Sequence, residues 1–199
     1  MSRAALLLSG GIDSISLLWL SKPALAYVID YGQRPFPGER AAAEAAAEAA
    51  GVPIRFLTAN VGQLGAGDMS EQAPLVQSSL SEWWPFRNQF LITVAAMAAL
   101  ADGVEVIQIG TVSTDDAHVD GSTAFIEKVD GLLAIQEGGL RLEAPAKQMT
   151  SEQLVQRSGV PLDILRFAHS CHTGRFPCGR CRGCFKHAKV WHVIESGGA

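Results

Sequence analysis

Apolar residues along this chain fall into short runs separated by amphipathic stretches, and the alternation begins at once. Positions 4–8 are an apolar run that stops sharply at a Gly-Gly pair, and 12–20 follows with helical spacing. A second run, 24–30, ends in Asp30-Tyr31-Gly32. Positions 39–50 are mostly alanine with Glu44 and Glu48 interspersed, a composition that favours helix, and Gly51 stops it. The pattern then predicts a strand over 54–58 and an aperiodic Gly/Gln/Ser-rich loop over 61–81, long enough to serve as a lid or substrate loop. Apolar residues at 90, 91, 94, 97 and 98 predict a buried helix over 87–101, followed by a strand over 104–110. Phe125, Ile126, Val129, Leu132 and Leu133 make 122–136 an amphipathic helix, and 140–144 reads as a short strand. Thr150 and Gln153 have the spacing of a capping box opening a helix that runs to Arg157.

Strands alternating with helices at this spacing predict one parallel sheet covered on both faces. Such sheets bind ligands beyond the carboxyl ends of their strands, which selects the loops at 9–14, 30–36, 83–88, 110–121 and 145–150 as site walls. No internal repeat interrupts the pattern. We expect an α/β domain over 1–165 and a C-terminal segment, 166–199, packed on it.

Composition agrees. The chain has 199 residues, 48% hydrophobic and 18% charged, which fits one globular domain rather than a disordered chain. A formal net charge of −4 and the lack of a Lys/Arg block argue against a nucleic-acid partner. The opening apolar run is too short for a secretory signal, and nothing approaches the roughly 18 apolar residues of a membrane span. The expected location is cytoplasmic, with no membrane association.

Two motifs carry candidate chemistry. The first is Ser9-Gly10-Gly11-Ile12-Asp13-Ser14, between a strand and a helix. Paired glycines let backbone N–H groups approach phosphate oxygens, and the helix adds its positive end. Ser9 and Ser14 add hydroxyls, while Asp13 has the chemistry to hold Mg²⁺ or to cap the helix. No Gly-Lys-Ser/Thr follows, so this is not a Walker A loop. The alternative is a plain capped turn.

The second motif gathers all four cysteines, Cys171, Cys178, Cys181 and Cys184, near the C-terminus. The compact Cys-x2-Cys-x2-Cys spacing suits convergence on one metal better than disulfides. Four thiolates favour a closed, structural tetrahedral Zn²⁺, one per chain, with an iron–sulfur cluster as the other occupant of such a set. His169, His172 and His187 lie nearby as bystanders.

The Ser-Gly-Gly-Ile-Asp-Ser hexapeptide resembles the signature of the PP-loop ATP pyrophosphatases, which have an adenine nucleotide alpha hydrolase-like, Rossmann-like fold and transfer AMP to a substrate oxygen. Asp30-Tyr31-Gly32-Gln33-Arg34, Pro85-Phe86-Arg87-Asn88, Ile109-Gly110 with Asp115, and the cysteine segment occur in the order found in the 7-cyano-7-deazaguanine synthase (QueC) family. That resemblance covers almost the whole chain. It implies that ATP adenylates 7-carboxy-7-deazaguanine, that ammonia converts the adenylate to an amide, and that a second activation dehydrates the amide to the nitrile.

It also implies roles. Ser9, Gly10, Gly11, Ile12, Asp13 and Ser14 would hold the phosphates, with Gln33, Arg34 and Gly110 completing the nucleotide site. Arg87, Asn88, Asp115 and Asp120 would contact substrate. Asp13, Arg87 and Lys147 would act in catalysis, with ATP and Mg²⁺ bound, zinc on the four cysteines and a homodimer as the assembly. With every thiolate on zinc, no cysteine remains as a persulfide carrier or glutaminase nucleophile, so free ammonia, or an amine from a partner, is the expected nucleophile.

The chain departs from the family pattern at three places. Pro35 replaces a histidine. Val119-Asp120-Gly121-Ser122 replaces a deazapurine-gripping segment of which only the aspartate remains. Ser151 takes the place of a lysine that would neutralise pyrophosphate, and Lys147 lies one turn earlier. Two other readings therefore accompany the first. One is a paralogue, as in anti-phage systems, that activates a different carboxylate or a protein terminus. The other is a nucleotide-binding partner subunit without catalysis.

Overall fold

A computed structural model describes residues 2–77, 80–115 and 118–197. Positions 78–79 of the 61–81 loop and 116–117 of the 110–121 wall therefore lie outside the described residues. Five parallel strands, β1 (Ala4–Leu7), β2 (Leu25–Asp30), β3 (Ile54–Thr58), β4 (Val106–Gln108) and β5 (Arg141–Glu143), form one sheet in the order β3-β2-β1-β4-β5. Seven helices are described: α1 (Ile12–Ser21), α2 (Phe36–Ala50), α3 (Arg87–Asp102), α4 (Thr123–Ala134), α5 (Ser151–Ser158), α6 (Leu162–Leu165) and α7 (Arg182–Glu195). The parallel α/β architecture is the one the apolar pattern calls for.

Because both faces of the sheet are covered, its strands send apolar side chains both ways. Tyr27, Ile29 and Ile107 pack with Ile92, Ala95 and Ala99 of α3 and with Ile126, Val129 and Leu133 of α4. Leu6, Leu8, Ala26 and Val28 pack on the opposite side with Ile15 and Leu18 of α1, Ala42, Ala43 and Ala46 of α2, Val155 of α5 and Val190 of α7. The small alanine face of α2 lets that helix lie close to the sheet.

Element ends differ from the sequence expectation in physical ways. Helix α2 starts three residues early, at Phe36, because Pro37 suits the first turn, where its missing N–H costs nothing. Strands β4 and β5 are shorter than their apolar runs, since pairing extends only from Val106 to Gln108 and from Arg141 to Glu143. Within the 61–81 loop the chain makes two 3₁₀ turns, Gly62–Leu64 and Gly67–Met69, and buries Met69 and Ser70. Helix α7 had no counterpart in the sequence reading.

The strand order reverses at β1, whose neighbours are β2 on one side and β4 on the other. A crevice opens beyond the carboxyl ends of the strands at such a switch point, and the candidate site occupies it. No helix among the described residues is long and apolar enough to cross a membrane.

Candidate functional site

The crevice holds a cavity of about 630 Å³, within the size range of small-molecule sites. Its floor is the turn between β1 and α1. Gly10 there has φ +76°, and a Cβ would stand 2.4 Å from the Glu39 carbonyl oxygen, so only glycine lets the turn seat against α2. Gly11 occupies the N-cap of α1 and no side chain caps the helix. The first-turn N–H groups are thus left with the positive helix end and no protein side-chain acceptor. Ser14 Oγ donates to the Gly11 carbonyl at 3.0 Å, and Ser9 Oγ donates to Ser14 Oγ at 3.1 Å. Ser9, Gly11, Ile12, Asp13, Ser14 and Gly110 all line the cavity.

Asp13 does not cap α1. Its Oδ2 accepts from Lys186 Nζ at 2.8 Å, and its buried Oδ1 has no hydrogen-bond partner. Burial pushes the Asp13 carboxyl above the usual carboxylate range, against the pull of Lys186. The same ammonium donates to Asp115 Oδ1 at 2.8 Å. Burial pulls Lys186 down, but Asp13 and Asp115 outweigh it and hold the ammonium above its ordinary value. Asp115 is itself fixed by the Val112 N–H, 3.2 Å from its Oδ2.

Gln33 is buried and works as a brace. Its Oε1 accepts from the Tyr31 N–H at 2.9 Å, and its Nε2 donates to the Ile29 carbonyl and to Glu39 Oε2. Desolvation of half-buried Glu39 pushes its carboxyl up to about 7, while the Gln33 hydrogen bond pulls it back. Arg87 opens α3 with no acidic residue in the first turn and no side-chain cap, and Phe86 before it is left-handed at φ 61°. Asn88 Nδ2 donates to the Asp120 carbonyl at 3.2 Å, and both residues line the cavity. Trp84 packs edge-on to Tyr31, with ring centroids 5.1 Å apart, and is part of the core.

Arg34 and Lys147 stand outside the cavity lining. Arg34 pairs with exposed Glu71 at 3.2 Å, and Lys147 Nζ donates to the Val112 carbonyl at 3.3 Å. Where the sequence pointed to Lys147, the structure puts Lys186 beside the phosphate loop. The reason is distance along the chain: Lys186 and Asp13 are 173 positions apart, and only the packing of α7 joins them. Glu39, Glu82, Arg182 and His172 are further cavity residues that sequence reasoning missed. Buried Glu82, just after the 61–81 loop, accepts from Arg182 of α7 at 2.9 Å and lies 3.4 Å from His118 Nε2. Burial holds His172 down to about 4, so its ring is neutral near neutral pH. Helix α7 itself left a readable trace, the apolar residues Val190, Trp191 and Ile194 at helical spacing.

The four cysteine sulfurs lie within 4.8 Å of one another. Cys181 is the N-cap of α7, and its Sγ accepts from the N–H groups of Cys184 and His172, each at 3.4 Å. Cys171 Sγ accepts from the Thr173 N–H at 3.5 Å. Backbone N–H groups directed at sulfur stabilise thiolates, so this donor set fits a tetrahedral metal. His169 and His187 are engaged elsewhere, with the Gly174 carbonyl and Ser170 Oγ. The His169 backbone N–H also reaches the Gly10 carbonyl at 2.8 Å, which fastens the metal segment to the phosphate loop.

A family model described as "Queuosine biosynthesis protein QueC" matches residues 3–195. The chain belongs to this family. It is 30% identical over 205 residues to a 7-cyano-7-deazaguanine synthase of Porphyromonas gingivalis, spanning 94% of this chain and 91% of that one. It is 26% identical over 218 residues to the corresponding synthase of Methanosarcina mazei, spanning 96% and 94%. Among solved structures, the U34-tRNA thiolase of Methanococcus maripaludis shares the fold, with a TM-score of 0.54 at 12% identity over 100% of this chain and 68% of that one. The PP-loop fold expected from the hexapeptide is therefore the observed fold.

Proposed function

We propose that the chain is an ATP-dependent 7-cyano-7-deazaguanine synthase. In this reading the uncapped α1 N-terminus with Ser9, Gly11 and Ser14 binds the phosphates of ATP. The carboxylate of 7-carboxy-7-deazaguanine attacks the α-phosphorus, pyrophosphate leaves, and ammonia displaces AMP to give the amide. A second adenylation of the amide oxygen makes it a leaving group, and loss of AMP yields the nitrile. Asp13 and Asp115 supply carboxylates for Mg²⁺, and Arg87 and Asn88 face the acid. The four cysteines hold one Zn²⁺, which supplies rigidity rather than chemistry because no coordination position stays open.

The observation that carries this reading is the uncapped helix terminus, with its hydroxyls, opening into a cavity at the switch point of a QueC-family sheet. The test is to incubate the protein with ATP, Mg²⁺, ammonium and 7-carboxy-7-deazaguanine, and to follow AMP, pyrophosphate and the nitrile by mass spectrometry. AMP and nitrile formed only when the deazapurine acid is present are expected. ATP left intact with that acid, or AMP formed with some other acid in its place, would overturn the assignment.

A further inference from the structure

We propose that Lys186 is the phosphate-binding lysine of this site, and that the metal knuckle sets the register of α7 that presents it. This deepens the ATP-dependent reading above and rests on it.

The placement is specific. Lys186 Nζ lies 2.8 Å from Asp13 Oδ2, in the first turn of α1, and 2.8 Å from Asp115 Oδ1, in the loop after β4. Its ammonium is therefore held at the mouth of the phosphate loop by carboxylates from two different strand ends. Asp13 Oδ1 is buried and not engaged by the lysine, and its neighbour, the buried Ser151 hydroxyl, lowers the Asp13 carboxyl without making a well-formed hydrogen bond. Two carboxylates share one ammonium, and the open Asp13 oxygen leaves room for a second cation. With Mg²⁺-ATP bound, Lys186 would donate to phosphate oxygens, and Asp13 and Asp115 would be the carboxylates available to hold the divalent ion.

Among the other described cations that line the cavity, Lys189 stands about one turn further along α7 and interacts with Glu152, and none of the rest is paired to a carboxylate of the phosphate loop. Arg182 is bound to Glu82, Arg87 directs Nη1 toward Met69 Sδ, and Lys147 and Arg34 lie outside the lining.

The knuckle explains how α7 is aimed. Cys181 caps the helix and Cys184 stands in its first turn, so Lys186 follows a metal ligand by two positions. Gly183 lies so close to the Ser170 carbonyl that a Cβ would stand 1.8 Å away, which locks the turn against the segment running to the phosphate loop. Metal, helix register and lysine form one chain of contacts.

In the adenylation step a substrate carboxylate oxygen bonds to the α-phosphorus and the bridging oxygen to the β-phosphorus leaves with its electron pair. Lys186 stays protonated throughout and donates hydrogen bonds to the charge that builds on pyrophosphate.

The test compares wild type with Lys186→Met and Lys186→Arg. The readouts are calorimetric affinity for pyrophosphate and for AMP, zinc content, and kcat and KM for AMP release. Lys186→Met is expected to lose pyrophosphate affinity at least tenfold and kcat about a hundredfold. AMP affinity and zinc content should not change, and Lys186→Arg should recover most of both losses. Because Lys186→Met leaves two carboxylates facing each other, Asp115→Asn with Lys186→Met, measured against Asp115→Asn alone, supplies the same comparison without that repulsion. If pyrophosphate affinity and kcat survive loss of the lysine while wild type turns over, Lys186 only ties helices together and the proposal fails alone. If wild type binds neither pyrophosphate nor ATP, the ATP-dependent reading fails and takes the proposal with it.

Discussion

Glu39 shows what a single residue contributes when burial rather than pairing sets its charge. It lies half-buried under the phosphate loop at the cavity wall, with Gln33 as its hydrogen-bond donor, and desolvation raises its carboxyl from the ordinary 4.5 to about 7. A raised carboxyl means that the folded state binds the proton more tightly than the unfolded chain between about pH 4.5 and 7. Stability attributable to Glu39 is thus present at the acid end of that window and falls as pH rises through it. The cost approaches an order of 3 kcal/mol above pH 7. Glu39→Gln removes the titration, so denaturant melts from pH 5 to 8 should show the variant gaining on wild type as pH rises. A constant difference across that range would contradict the burial argument. Nothing in the alanine-rich sequence around Glu39 marks it apart from Glu44 and Glu48, which lie on the same helix at a greater distance from the loop. Depth is a property of α2 packing, not of residue type.

At the scale of elements, α5 was legible in detail and α7 was not. The Thr150–Gln153 spacing gave the capping box, and the structure has both halves. Thr150 Oγ1 accepts from the Gln153 N–H at 3.3 Å, and Gln153 Oε1 accepts from the Thr150 N–H at 2.9 Å. Thr150→Ala should cost about 1 kcal/mol. For a chain of this size that lowers the melting temperature by roughly 2–4 °C, measurable by calorimetry. Ser151, the first residue of α5, would loosen with it at the cavity wall, so KM for ATP should rise before kcat falls. In α7 the cysteines and glycines of the knuckle obscure the helical period, and its apolar residues begin only at Phe185. Capping is local chemistry between residues three apart. The position of α7 depends on sulfurs gathered from a fourteen-residue stretch and on the packing of Val190 beneath α1 and α5.

For the whole molecule the metal segment is a fastening. The His169 backbone N–H bonds the Gly10 carbonyl, Arg182 reaches Glu82, and Lys186 reaches Asp13 and Asp115, so three residues join the metal segment to the rest of the domain. Cys181→Ser should lose the metal and the cap of α7 together, with a large fall in melting temperature and in solubility. Metal analysis of the wild type should give one zinc per chain. A Cys181→Ser variant that keeps both metal and melting temperature would contradict the fastening role. An iron content with a visible charge-transfer band would instead assign the site to a cluster.

From the amino-acid order alone came the parallel α/β plan, the glycine turn after β1, the four-cysteine set and the family. Each rests on periodicity or on residues adjacent in the chain, where spacing and chemistry are visible together. Which residues share the cavity was decided only by folding. Lys186 enters and Arg34 and Lys147 stay out, because the sheet order and the metal knuckle bring the chain ends together, and contacts across such separations leave no local pattern.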